Sequence, residues 1–224
     1  MDETHLNPTQ RLTRSLILLL CLGTLLLTCL RVIGLGFFPL DDALRHVAMV
    51  VSGKPWSEIL VIRPDITMDS HPGWHTILRM FQSFTGGDKQ LLLNFSVIFL
   101  FLAFTLPPVF YFRRGEAWIA SLALSSVFFF GSIFRLFYGR PYIVSMVMVI
   151  LFCFLWKRIS EKRKPWTELA AMTAITALAA WVHGAWYLFT LPLLALFIAR
   201  QWRVLWLMSG AMSVGVIIGA IFTG

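Results

Sequence analysis

Apolar runs of similar length alternate with short polar connections along this chain, and one polar interval, from about Leu40 to Lys89, is much longer than the rest. The first apolar run extends from Ser15 to about Phe38, behind a polar stretch that carries Arg11 and Arg14. It is too long for a signal peptide and has no small-residue cleavage site, so it is expected to remain as a first span. Six further runs lie at roughly 90–112, 116–134, 141–156, 167–182, 185–199 and 204–222, each near the length that about 30 Å of hydrocarbon demands of a helix. Taken as one helix, 167–199 would be about 50 Å long at 1.5 Å per residue, so a break is expected at His183-Gly184. Pro107-Pro108 is expected to kink the second span. The predicted fold class is an all-α membrane protein of about seven transmembrane helices. Residues 1–38 form the N-terminus and first span, 39–89 an outer loop, and 90–224 six further spans.

Two short amphipathic helices are expected in the loop. Leu44, Val47, Ala48 and Val51 recur at i, i+3, i+4 and i+7 behind Asp41 or Asp42 as cap, before Gly53 and Pro55 end the pattern. The second starts at Pro72 and runs through Trp74, Ile77, Leu78 and Phe81 to about Phe84, with Trp74 suited to the membrane interface. Both are too short to span, and both are expected to lie on the membrane.

Composition agrees with the pattern. With 58% hydrophobic and 13% charged residues and a mean hydropathy of +0.77, the chain has more apolar surface than a soluble core of this size can bury. The net charge of +8 does not point to nucleic acid, because the basic residues sit in clusters between spans. Arg11 and Arg14, Arg113 and Arg114, Lys157 to Lys164, and Arg200 and Arg203 fall at alternate connections, which makes those ends cytoplasmic. The interval 40–89 and the turns around 135–140 and His183 are then external, at a cell inner (plasma) membrane. Cys21, Cys29 and Cys153 all lie in spans, as small apolar side chains.

The outer interval concentrates the polar chemistry, with six acidic residues and three of the five histidines. Asp41-Asp42 follows the first span, His71-Pro72 opens the second interfacial helix, Tyr138-Gly139-Arg140-Pro141-Tyr142 forms the next outer turn, and His183 stands at the third. In this order the four resemble the GT-C membrane glycosyltransferases, such as the protein O-mannosyltransferases and the aminoarabinose transferases of lipid A, over nearly the whole chain. The resemblance implies transfer of a sugar from a polyprenyl-phosphate donor to a hydroxyl of a lipid, glycan or protein acceptor on the outer face. It implies a general base at Asp41 or Asp42, the first being preferred, and a donor site lined at His71. Arg135, Arg140, Tyr142, His183 and His46 complete the expected substrate-binding set. Two departures stand out: Gly73 where many members have a second proline, and Gly139 where members with an R-P-Y turn often have an acid.

The chemistry asks for these residue types on its own terms. A glycosyl phosphate leaves as an anion that guanidinium groups bind through paired hydrogen bonds, and a carboxylate can take the acceptor proton. Arg140 has no acid beside it on its own turn. Other readings of the same residues are helix capping for Asp41-Asp42, interfacial anchoring for the arginines, a polar group at a helix break for His183, and a metal held by His71 and His75 with Asp69 nearby. No cofactor is expected and a divalent metal is not specifically indicated. From another class, a noncatalytic subunit or a transporter of a lipid-linked sugar is the alternative. The row Ala211, Gly215, Gly219 on the last span favours close packing against a further helix or a partner subunit.

Overall fold

The computed structural model describes residues 7–35, 42–59, 69, 71–84, 86–111, 115–128 and 135–223, and no strand occurs among them. The helices are α1 (Pro8–Leu35), α2 (Asp42–Ser52), α3 (Trp56–Ile59), α4 (Pro72–Phe84), α5 (Lys89–Tyr111), α6 (Gly115–Phe128), α7 (Tyr142–Glu161), α8 (Trp166–His183), α9 (Thr190–Ile198) and α10 (Trp202–Ile221), with 3-10 turns at Arg135–Phe137 and Trp186–Phe189. They fall into two compact units, Met1–Ala43 with Leu93–Arg140 and Leu44–Leu92 with Pro141–Gly224.

Among the described residues four helices, α1, α5, α7 and α10, are long and apolar enough to cross a membrane. The three other expected spans are shorter or less apolar. Helix α6 has 14 residues, and 129–134 of the expected run lie outside the described residues. Helix α8 has 18 residues but carries Glu168 in its first turn and His183 in its last. The run 185–199 divides into a 3-10 turn and the nine-residue α9, because Gly184 at φ 65° ends α8 and the chain restarts after it. Length and composition thus support four spans rather than seven.

In the first unit α1 buries Cys21, Leu25 and Cys29, a stripe at i, i+4 and i+8, and leaves most of its leucines exposed, as a lipid-facing helix would. Its hydroxyls are satisfied inside the helix: Thr24 Oγ1 donates to the Leu20 carbonyl at 2.8 Å and Thr28 Oγ1 to that of Thr24 at 2.8 Å. Pro107 and Pro108 lie within α5, and Trp118 Nε1 donates to the Thr105 carbonyl just ahead of them at 3.2 Å.

The second unit is built on α8. Met172 and Ala179 of α8 pack with Phe152 and Ile159 of α7 and with Val204, Met208, Ala211 and Met212 of α10, all buried. The small residues of α10 face α8. A Cβ on Gly215 would come within 2.5 Å of the Thr173 carbonyl oxygen, and one on Gly219 within 2.5 Å of that of Ala177. The row that suggested a partner helix is therefore covered by a helix of the same chain. At one end of this unit Glu168 pairs with Lys162, and Arg203 donates to the carbonyls of Lys162 and Arg163 at 2.8 and 3.0 Å.

Replacing Gly215 by Leu is expected to lower the melting temperature of the detergent-solubilised protein through a loss of about 1–3 kcal/mol, the usual cost of overpacking. Gly210 has nothing within 4 Å of its would-be Cβ, and Gly210→Ala is expected to be neutral or stabilising by about 0.5–1 kcal/mol. Equal melting temperatures for Gly215→Leu and the parent would contradict the packing.

Candidate functional site

In the first unit the turn 138–140 docks on the start of α2. The Ala43 N–H donates to the Tyr138 carbonyl at 3.1 Å. Gly139 adopts φ 64°, and a Cβ there would come within 2.5 Å of Ala43 Cβ and 3.1 Å of Ser96 Oγ. No side chain fits, which explains the absent acid at this position: the turn can approach α2 only as glycine. The approach brings Arg140 Nε to 3.1 Å from Asp42 Oδ2, with the guanidinium carbon 5.5 Å from the centre of the Tyr138 ring. The N–H is not aimed for a hydrogen bond, so the contact is an ion pair. Sequence alone found no acid beside Arg140; the fold supplies one from α2. Both groups are about one-third exposed, at 35% and 29%, so the pair adds about 1 kcal/mol or less to stability, and its importance is in placement. Asp41 lies outside the described residues, as does the side chain of Arg135, whose backbone opens the 3-10 turn.

In the second unit Asp69 organises the start of α4. Its Oδ1 accepts the His71 N–H at 2.8 Å, and Pro72 follows as the first helical residue, where no N–H is required. His71 and His75, four residues apart, then share a face. A Cβ on Gly73 would lie 2.6 Å from Trp181 Cδ2 and 2.8 Å from the Trp181 carbonyl oxygen, so α4 rests its backbone on α8. That contact accounts for glycine where a second proline is common in the resembling family. Trp74, beside it on α4, is completely buried in the protein.

Four histidines meet there. Asp69 Oδ2 is 2.6 Å from His75 Nδ1, and His75 Nε2 is 2.7 Å from His46 Nδ1. The ring centres of His46 and His71 are 5.0 Å apart, those of His71 and His183 5.0 Å, and those of His183 and Tyr142 6.2 Å. The expected residues His46, His71, His183 and Tyr142 are thus brought together, and the same is true of Asp42 and Arg140 in the first unit. His75 and Asp69 prove central, although the sequence offered them only around a metal held with His71. Their signal was the i, i+4 spacing of His71 and His75 with an acid two residues ahead.

Burial drives the electrostatics. It pulls His46 well below the ordinary imidazole value, with His75, His71, His183 and Arg45 adding to the effect. His71 is lowered to about 4, first by burial, then by His183 and His75, with Asp69 opposing. For Asp69 burial raises the value, but the hydrogen bonds from His75 and the His71 N–H, with the histidine charges, outweigh it and hold the carboxyl below 3.8. An ionised Asp69 accepts only, so His75 Nδ1 carries the proton. His75 Nε2 and His46 Nδ1 share one proton across their 2.7 Å contact, the donor being set by the tautomers of the two rings. His75 uses both nitrogens in this chain, and no group of three or more His, Cys, Asp or Glu among the described residues is arranged to hold a metal ion. Among the described residues the geometry gives a hydrogen-bonded chain from Asp69 through His75 to His46. Nδ1 of His183 is buried with no hydrogen-bond partner among the described residues.

Acid is expected to destabilise the fold through this cluster. The unfolded chain takes up protons on these imidazoles near 6.5, while folded His71 does so only near about 4, so between those values the unfolded state binds more protons. Stability is therefore present above that window and is lost as pH falls through it; Asp69 adds its loss only below 3.8. Tryptophan-monitored melting should show a falling midpoint from about pH 6.5 to about pH 4, with a smaller fall in His71→Gln. A midpoint that holds or rises on acidification would contradict this.

Comparison with protein-family models, with curated proteins and with solved structures finds no match to this chain.

Proposed function

We propose that this chain is a membrane glycosyltransferase, or the membrane module of one, which takes a sugar from a polyprenyl-phosphate donor and passes it to an acceptor hydroxyl. The observation that carries the reading is the Asp42–Arg140 ion pair. It joins two of the four motifs that carry the resemblance to the GT-C enzymes, and these two are far apart in sequence. A guanidinium presents its N–H donors in a planar fork that matches phosphate oxygens, which makes Arg140 the residue chosen to bind the donor phosphate. Asp42 beside it is suited to receive the proton of the attacking hydroxyl. In this reading α6, α8 and the Trp186–Ile198 segment cross the membrane along with the four longer helices, making seven spans. The N-terminus and the Lys162–Lys164 cluster are then cytoplasmic, and α2, α4 and the turn at Arg140 external, as the alternation of basic connections favours.

Arg140→Lys keeps the charge and loses the planar fork, so binding of a polyprenyl phosphate to the purified protein should weaken by roughly 1–2 kcal/mol, and Arg140→Ala should cost more. Asp42→Asn should keep lipid binding and lower sugar transfer on the order of a hundredfold. Parent-like lipid binding by both arginine variants would remove the phosphate assignment. Polyprenyl-phosphate binding with no transfer of any sugar would favour a noncatalytic subunit or a transporter.

The orientation has its own test. A cysteine placed at Arg163 should resist an impermeant thiol reagent added outside intact cells, and one placed at Lys54 should react, because the basic cluster stays on the inside. Reaction at 163 would overturn the orientation and, with it, the external site.

A further inference from the structure

At one end of the second unit the α7–α8 connection meets the α9–α10 connection, and the charge of the stretch 141–224 is gathered there. Its seven Lys and Arg and its two Glu all fall within 157–168 and 200–203. Side-chain contacts build this end. Arg203 Nη2 donates to the Lys162 and Arg163 carbonyls at 2.8 and 3.0 Å, and Trp156 Nε1 donates to Gln201 Oε1 at 3.1 Å, so the two connections are tied together. Both acids are already engaged: Glu168 is buried against Lys162, and Glu161 lies 3.9 Å from Lys157. Arg158, Arg163, Lys164 and Arg200 are exposed and enter no ion pair among the described residues, and the carbonyls that Arg203 meets do not neutralise it. Five positive charges therefore remain without an acid from this stretch.

The position of this end identifies the matching anion. Helices α7 and α10, both long and apolar enough to cross a membrane, finish and start here, which sets the charges at a bilayer surface. Beside them stand Trp166 and Trp206, 70% and 72% exposed, and Trp202, indoles of the kind that favour the headgroup level. The turn between α9 and α10 carries a further sign. Arg200 has φ 54°, its N–H donates to the Phe197 carbonyl, and that of Gln201 donates to the Leu196 carbonyl, both at 3.0 Å. Glycine is the residue such a helix end prefers, so arginine is kept there at a cost to the backbone.

We propose that this end of the second unit binds the headgroups of anionic phospholipids. Arg163, Lys164 and Arg200 meet the phosphates, Trp166 and Trp202 stand at the boundary of headgroup and acyl chain, and Arg203 is a positioning residue that holds the two connections together. A polybasic surface beside a membrane helix attracts acidic lipid, each charge adding to the attraction and salt screening it. The site uses neither Arg140 nor the histidines, so it stands apart from the donor reading.

The test uses the full chain in a neutral detergent, with phosphatidylglycerol or phosphatidylcholine of the same acyl chains added and bound lipid counted by native mass spectrometry. Phosphatidylglycerol should bind more tightly, and equal binding of the two would overturn the proposal. Arg163→Gln with Lys164→Gln should weaken phosphatidylglycerol about thirtyfold, whereas Arg11→Gln with Arg14→Gln, the same change of net charge in the first unit, should leave this binding in place. An equal loss in both pairs would mean attraction to net charge and no site. Inorganic phosphate in excess should not displace the lipid; displacement would make this a site for a free anion and overturn the lipid assignment.

Arg200→Gly separates headgroup binding from a structural role. It should raise the melting temperature without lipid, because glycine relaxes the left-handed turn, and at the same time weaken phosphatidylglycerol about fivefold. A lower melting temperature, or lipid binding equal to that of the parent, would overturn the role of Arg200 and with it the site.

Discussion

The histidine row depends on one close approach, the backbone of α4 at Gly73 against Trp181 of α8. Any Cβ at 73 would meet the Trp181 ring and carbonyl below 3 Å and lift α4 away. With α4 in place, Asp69 caps its start, Pro72 sets its first turn, and the i, i+4 spacing turns His71 and His75 towards His46 and His183. A short helix of 13 residues would be marginal by itself in water. Here Trp74 and Leu78, both fully buried, and the packing on α8 hold it. The chemistry of the row is thus a consequence of packing a few residues away from it.

Glycine does comparable work at 139. The left-handed backbone and the contact with Ala43 let the turn reach the first residues of α2, and that contact delivers Asp42 to Arg140. Glycine at 73 and at 139 therefore has a steric cause in each case. On α10 the same logic places Gly215 and Gly219 against carbonyl oxygens of α8, so the small face is consumed inside the chain.

Charge is handled differently at the two places. Asp42 and Arg140 are partly exposed and opposite in sign, a pair that a phosphate can enter by competing for the guanidinium. Burial lowers His46 and His71 below the ordinary imidazole value, and the Asp69 carboxylate is hydrogen-bonded to His75 beside them.

The sequence by itself determined the helical class, the ends of α2 and α4, the stop at His183-Gly184 and the residue types from which both sites are made. These follow from local rules: apolar periodicity, an acidic residue at a helix start, proline at a first turn, glycine in the left-handed region. It did not determine that Arg140 meets an acid, that Trp74 is buried, that His75 is the centre of the histidines, or that the small row on α10 is already covered. Nor did apolar runs alone separate four long helices from three shorter or more polar ones among the described residues, because the lengths of the shorter helices and the pairing of Glu168 depend on the fold. Those outcomes depend on which residues distant in the chain touch, and only the packing of α4 and α10 on α8, and of the 138–140 turn on α2, decided them.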